Sequence, residues 1–530
     1  MFLLRLLVSI IGVSHSFSID DTLHSYSSGD IIIGGLFPIH LEMNRSTMPE
    51  KFSCSRYSIQ MFLRSQVMIY AIQEINQRTP RVLPDLTLGY DLYDTCGDVS
   101  LAIRAALQLM KNQSDPQSCL LPSEIHAALP EPLTKVVIGE RYSEVSIAVA
   151  RIFTLSSVAQ ISYASTSELL SKKFKFPTFL RTVSSDEFQT KGISQLVTEF
   201  NWKTVAIVGS DDEYGKYGSD RLEDTLNDMN VCIEFVEILP GDFTLNNSDT
   251  RQKLKYLVGQ LINSSAEAII MFTKDTNVEL IMEAAIKNNL NRTWIASDTW
   301  STSARISKMQ DIKLAGKVFG FIFRRNEVPG FKNYVSAMFN RTTNAIIRHH
   351  LTRYPLCSNQ SEEKTAHNCS MQSLDPHCLS SYIDHDESYS IYLAVQVIAE
   401  GLRSLLKCGN QRCERNTRFT TSELLEEIKK VNFSVDSTRI YFKDGDPSLG
   451  YDIVYWNMSK QDTQIQSIGE YWPNGTIRLP EGLRRSMKVE VSVFNCSKTC
   501  KPGNMLKIQG KRCCPKCVPC ASREFSPGNG

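Results

Sequence analysis

Ser143 in GERYSEVS, Thr166 in SYASTSELL, Asp186 in LRTVSSDEFQ and Tyr214 in SDDEYGKYG each stand just past a short apolar run and just before a helix-like stretch. A hydroxyl beside the first turn of a helix suits a carboxylate, because the O–H and the exposed backbone N–H groups all donate. Carboxylates and a phenol suit an ammonium. Taken together, these residue types match the two charged ends of a free α-amino acid. The plain alternative for Ser143 and for Asp186 is an ordinary helix N-cap that serves only its own helix.

The elements that must position them alternate. DIIIGGLF, LTLGYDLYD, KVVIG and AQISY read as strands. MFLRSQVMIYAIQEIN has one apolar face at helical spacing, DVSLAIRAALQLMKN is a helix opened by Asp98, and SEVSIAVARIFTL is another. Such alternation predicts a doubly wound parallel sheet, whose strand ends gather small ligands at their carboxyl edge. A second series starts at Asp186 with TVAIVGS, CIEFVEIL, AEAIIMF and TWIASD as strands. The fold class expected is therefore α/β, with two doubly wound lobes. Lobe 1 is placed at about 25–185 and 318–440, and lobe 2 at about 186–317 and 441–490, together filling 25–490. This assigns GKVFGFIFRR and the helix SYSIYLAVQVIAEGLRSLL to lobe 1, and FKDGDPSLGYDIVYWN to lobe 2. A chain that crosses several times between lobes makes a hinge that can close on a ligand.

Composition narrows the class further. A net charge of +1 gives no footing for nucleic acid or an anionic membrane surface. Residues 1–18 read as a secretory signal peptide cut near Ser16 to Ser18, and no later run approaches the ~20 apolar residues of a membrane span. In that compartment the 15 cysteines predict disulfides. The sequons at Asn44, Asn112, Asn246, Asn263, Asn291, Asn340, Asn359, Asn368, Asn432, Asn457, Asn474 and Asn495 agree with it. There is no G-x-S-x-G elbow, P-loop, H-E-x-x-H or strand-linked G-x-G-x-x-G, which argues against an enzyme. From Asn495 the composition shifts to NCSKTCKPGNMLKIQGKRCCPKCVPC, so 496–530 reads as the start of a small disulfide-rich module; zinc is the competing reading of its C-x₂-C spacing.

IIIGGLFPIH, LTLGYDLYDTC, SYASTSELLS, FLRTVSSDEFQ, DDEYG, WIASDTW and CCPKC together resemble the extracellular part of class C G-protein-coupled receptors. The resemblance runs from Asp30 to Cys520 and is nearest to the amino-acid and calcium-sensing branch, in particular the group 6 receptors and their fish odorant relatives. It implies a bilobed Venus-flytrap, similar to periplasmic binding proteins, then a cysteine-rich domain and seven membrane helices. The chain departs from that pattern after six cysteines of the terminal module, as either a receptor fragment or a truncated secreted form.

By the same resemblance, Ser143 and the backbone from Ala164 to Thr166 hold a ligand carboxylate, while Thr166, Asp186, Tyr214 and Asp298 surround its ammonium. Asp386 and Glu387, with Glu42, are placed near the ligand's distal end and would favour lysine or arginine. Arg64 either pairs with Asp386 or Glu387 or selects an acidic ligand; the bland alternative makes all four solvated rim charges. Cys54–Cys96 and Cys408–Cys413 read as local closures. Cys232–Cys513, Cys496–Cys514 and Cys500–Cys517 follow from the family, with Cys520 left single. Cys119 matches an intersubunit bridge, against an internal partner among Cys357, Cys369 and Cys378. The function implied is amino-acid sensing by a cell-surface homodimer that signals to heterotrimeric G proteins. Calcium or another divalent cation is a candidate modulator near Asp211, Asp212 and Glu213. The rival is a secreted amino-acid carrier or decoy.

Overall fold

The computed structural model describes residues 24–44, 53–111, 131–241, 248–324, 326–341, 379–436, 438–447, 449–459, 463–480, 502–507 and 516–520. In chain order the strands of the first half are β1 (His24–Ser27), β2 (Ile31–Phe37), β3 (His40–Asn44), β4 (Ser53–Tyr57), β5 (Leu88–Asp94), β6 (Thr134–Ile138), β7 (Ala159–Ser162) and β8 (Phe179–Arg181). Six form a sheet ordered β1-β5-β2-β6-β7-β8, parallel except for the edge strand β1. β3 and β4 make a separate hairpin.

Parallel strands are covered on both faces, so their runs are apolar throughout. In β6, Val136 and Ile138 face one core with the helices Ile59–Gln77 and Glu387–Leu405, while Val137 faces the other with the helices Val99–Leu109 and Ser143–Thr154. Asp98 caps the helix Val99–Leu109, its carboxylate accepting from the Ser100 and Leu101 N–H groups at 2.8 and 3.2 Å.

The second sheet is built from β9 (Thr204–Asp211), β10 (Cys232–Pro240), β11 (Ala268–Phe272), β12 (Arg292–Ala296) and β13 (Gly316–Phe323). After β14 (Asn432–Val435), β15 (Thr438–Lys443) and β16 (Asp446–Pro447), it is completed by β17 (Tyr451–Asn457), β18 (Gln464–Tyr471) and β19 (Ile477–Arg478). Its order is β10-β9-β11-β12-β13-β17-β18-β19. Trp294, Trp300 and Trp456 fill one of its faces, and each indole N–H finds a backbone carbonyl at 2.8, 3.1 and 2.8 Å.

One strand departs from the sequence reading. GKVFGFIFRR was expected in lobe 1, yet β13 runs parallel to β12 from Arg292↔Gly316 and antiparallel to β17. An apolar run buried on both faces fits the interior of either sheet, so pattern alone does not choose. The compact helical connection from Asp298 to Ala315 returns the chain beside β12 and makes the choice. The helix Glu387–Leu405 does return to the first lobe, packing against Ile59–Gln77, and β17 completes the second.

Where the chain crosses between lobes, the segments are tied together. Arg181 bonds Asp446 through two nitrogens at 2.8 Å each, and Tyr451 donates to the Ser184 carbonyl at 3.2 Å. The disulfides Cys54–Cys96 and Cys408–Cys413 are formed. Cys232 is disulfide-bonded, with its partner outside the described residues, and Cys520 is free. The leader, Cys119, Cys357, Cys369, Cys378, Cys496, Cys500, Cys513 and Cys514 lie outside the described residues, as do Asn112, Asn246, Asn359, Asn368 and Asn495. Of the sequons described with their side chains, Asn263, Asn291, Asn432 and Asn474 are exposed and Asn457 is partly so.

Candidate functional site

β6, β7 and β8 end side by side, and their following turns carry Ser143, Thr166 and Asp186 to one edge of the first sheet. Tyr214 and Asp298 follow β9 and β12 in the second sheet and face them. Ser143, Ala164, Thr166, Asp186, Tyr214 and Asp298 are all buried, none more than 8% exposed.

The plain N-cap readings do not hold for Ser143 and Asp186. Tyr142 occupies the cap position before Ser143, and the Ser143 hydroxyl accepts from the Ser167 N–H at 3.2 Å. Ser185 caps the next helix, leaving Asp186 as its first residue. Both side chains are thereby free of the local task that their position suggests. Of the backbone donors expected for a carboxylate, the Ala164 N–H is already turned to Ser162 Oγ at 3.3 Å. The Thr166 hydroxyl is fully buried and faces the Asp186 carboxyl, whose charged form it favours, without a hydrogen bond of good geometry to any described residue.

Asp186, Tyr214 and Asp298 form one network through Gln189. Tyr214 Oη and Gln189 Nε2 each donate to Asp298 Oδ1 at 2.6 Å, and the Asp298 N–H donates to Gln189 Oε1 at 3.0 Å. Gln189 Nε2 also reaches Asp186 Oδ1 at 3.4 Å, while Asp186 Oδ2 has no partner among the described residues. Burial, reinforced by the Asp298 charge, pushes the Asp186 carboxyl well above its ordinary range. Burial lifts Asp298 to about 6 against the opposing bonds from Tyr214 and Gln189. Two crowded carboxyls short of positive charge are what an ammonium would relieve.

Tyr214 is placed by packing. Its ring stacks on Phe272 at 4.5 Å, and Gly218 lets its helix approach that ring: a Cβ there would lie 2.1 Å from Phe272 Cε1.

The distal group is differently organised. Arg64 donates to Asp384 at 2.8 Å and pairs with Glu387 at 2.7 Å, so it is not free for a ligand carboxylate. Asp384 would rise on burial, but Arg64 holds it at about 2. Asp386 takes a bond from Thr302 across the seam at 3.1 Å and meets the Asp384 carboxylate side chain to side chain; burial and Asp384 push its carboxyl up. Arg64, Asp386 and Glu387 are buried, so the solvated-rim reading fails for these three. Glu42 stands apart from them. It pairs with Arg56 on the β3–β4 hairpin, and Arg56 reaches Glu279 of the second lobe at 2.6 Å.

Arg141 and Gln189 were missed by the sequence reading. Arg141 is two residues from Ser143 on the same turn, and Gln189 is one helical turn beyond Asp186; those offsets were the available signals. Arg141 donates to the Thr299 carbonyl of the opposite lobe at 3.1 Å, and Lys274 is ion-paired with Glu144. With Thr302–Asp386 and Arg56–Glu279, these contacts close the two lobes on each other.

His40, Asp94 and Cys96 are the one group of possible metal ligands that converges among the described residues. Cys96 is held in a disulfide, and the Asp94 carboxylate accepts from His40 and from the Ile39, His40 and Cys96 N–H groups, so the group is structural. Asp211, Asp212 and Glu213 line a cavity of about 900 Å³ at the cleft mouth without converging on one point. Asp212 is already spent on Ser210, Tyr214 and Gly215.

Residues 63–459 match the family described as the receptor family ligand binding region. The chain belongs to that family. It is 30% identical over 539 residues to the G-protein coupled receptor family C group 6 member A of Homo sapiens, which covers 96% of this chain and 57% of that relative. The Carassius auratus protein of the same name is 31% identical over 520 residues, covering 94% and 56%. The extracellular calcium-sensing receptor of Homo sapiens is 30% identical over 557 residues, covering 94% and 50%. The chain is thus related to class C receptors over their extracellular domain, spanning between 50% and 57% of the length of these relatives. These relatives are receptors, not enzymes, and the bilobed α/β fold is the one the resemblance implied. No helix among the described residues is long and apolar enough to cross a membrane.

Proposed function

We propose that this receptor ligand-binding region closes on a free L-α-amino acid. The observation that carries the reading is the Tyr214–Asp298–Gln189 network at the seam, with the Thr166 hydroxyl and the Asp186 carboxyl buried beside it and facing each other. Ser143 and Thr166 serve the ligand carboxylate, while Asp186, Asp298 and Tyr214 serve its ammonium. Each charge-assisted bond contributes about 1.5–3 kcal/mol. Three or four of them can support a millimolar-to-micromolar ligand after the cost of closure, since such affinities need only about −4 to −8 kcal/mol.

A basic side chain is favoured over an acidic one. The distal group holds Asp275, Asp384, Asp386 and Glu387 against Arg64 and Arg141, and Arg64 is already engaged. In the whole receptor, closure would be passed through a homodimer at the cell membrane to heterotrimeric G proteins. Modulation by calcium or another divalent cation would draw on the carboxylates at the cleft mouth, to which we assign no coordination. A thermal-shift screen of the purified chain against the twenty amino acids tests the reading, with Thr166→Ala and Asp186→Ala as controls. Stabilisation by basic and neutral amino acids that both controls lose is expected; no stabilisation by any amino acid would refute it.

A further inference from the structure

Arg141 occupies the turn between β6 and the helix Ser143–Thr154 and is buried. Its guanidinium grips one carboxylate three ways: Nε to both Glu387 oxygens at 3.2 and 3.1 Å, and Nη2 to Oε1 at 3.0 Å. Nη2 also crosses the seam to the Thr299 carbonyl. Nη1 has no hydrogen-bond partner among the described residues and stands 4.0 Å from Asp275 Oδ1 of the second lobe, which has none either. A cation tethered to the first lobe therefore already lies between carboxylates of both lobes, beside the ammonium network.

We propose that Arg141 determines side-chain selectivity by competing with the ligand's own cation for Glu387 and Asp275. This rests on the amino-acid reading above. An arginine or lysine ligand must share those carboxylates with a guanidinium that is covalently held there, whereas a small neutral side chain leaves the arrangement undisturbed. Without Arg141, Glu387 keeps only Arg64, and Asp275 keeps only the weaker attraction of Arg305. Buried carboxylates short of a partner draw an incoming cation strongly.

The test is calorimetric titration of the purified chain with L-arginine and with L-alanine. In Arg141→Met, which keeps the apolar stem, the ratio of arginine to alanine affinity is expected to rise by about tenfold over the native chain. Arg141→Lys, which keeps a cation, should hold that ratio within about threefold of native. A ratio in Arg141→Met that stays within about threefold of native overturns the proposal, as does an equal rise in Arg141→Lys, which would point to packing. If Arg141→Met does not fold, Asp275→Asn removes the carboxylate instead and should lower the same ratio; no fall would equally count against it. Absence of binding by both L-arginine and L-alanine to the native chain would instead remove the amino-acid reading itself, and this proposal with it.

Discussion

The two ends of the cleft handle buried charge in opposite ways. At the ammonium end, Asp186 and Asp298 share hydrogen bonds from neutral donors, and both are pushed up by burial. At the distal end, Arg64 and Arg141 neutralise Asp384 and Glu387 within the protein. The first arrangement is complete only when a cation arrives from outside. The second is nearly complete without one. Unsatisfied charge costs stability in the empty clamp and returns it as affinity, while satisfied charge builds the frame against which a side chain is judged.

Breaking the distal frame should have the largest effect. Arg64→Met strands Asp384 without its cation in a buried site, and losing one partner of a buried pair costs about 3–5 kcal/mol. Chemical denaturation should show that loss with no amino acid present. Asp186→Ala should do the reverse. It removes a carboxyl that is disfavoured when empty, so the melting temperature holds or rises. Affinity for every amino acid should fall by about 30- to 100-fold, the worth of one charged bond. A loss confined to basic ligands would show that Asp186 belongs to the distal group instead.

The comparison also predicts a pH dependence. A carboxyl raised to about 6 in the empty clamp keeps a proton that an unfolded aspartate releases near pH 4. Asp298 therefore withdraws stability from the empty protein as pH rises from about 4 to about 6, and the deficit is constant above that. A bound ammonium favours the ionised form, so binding releases the proton below pH 6. The share of affinity owed to Asp298 is read as the difference between the native chain and Asp298→Asn, so that Asp186 titrates in both. That share should be flat from pH 8 to 7 and fall about tenfold by pH 5, one pH unit below the raised value. A share that held steady down to pH 5 would mean that Asp298 does not face the ammonium.

The two ends were also unequally legible in the sequence. Ser143, Thr166 and Asp186 each follow a strand of the first parallel sheet and Tyr214 one of the second, and topology brings such positions to the carboxyl edges of their sheets; Asp298 was assigned from the family resemblance. The distal frame depends on partners far apart in the chain: Arg141 meets Glu387 across 246 positions, and Arg64 meets Asp384 across 320. No local pattern announces which cation meets which carboxylate, so Arg64 stayed open between pairing and ligand, and Asp384 and Arg141 went unread. β13 escaped for a related reason. Its apolar run states that it is buried but not in which sheet, and the strand partner decides that. Glu42 was grouped with the distal carboxylates through the family resemblance; its hairpin pairing with Arg56 takes it to the rim.

The smallest expected effect lies at that rim, where Lys274 and Glu144 join the lobes without touching either end of the proposed ligand. Lys274 also lies 5.3 Å from the Tyr142 ring centroid, so its loss removes a packed cation as well as an ion pair. Glu144 is 28% exposed and Lys274 11%, so water reaches the pair only from the Glu144 side and holds it to about 1 kcal/mol, the upper end for screened pairs. Lys274→Ala should therefore weaken all amino acids by no more than about fivefold. Because the contact favours closure and not any side chain, the ratio of arginine to alanine affinity should not move. Salt separates this from a packing defect: raising ionic strength to about 0.5 M shortens the screening length to a few ångströms and should weaken the native chain more than the variant. Equal salt sensitivity in both would assign the closed state to the other seam contacts, those of Arg141, Asp386 and Arg56, and make the Lys274–Glu144 pair a bystander.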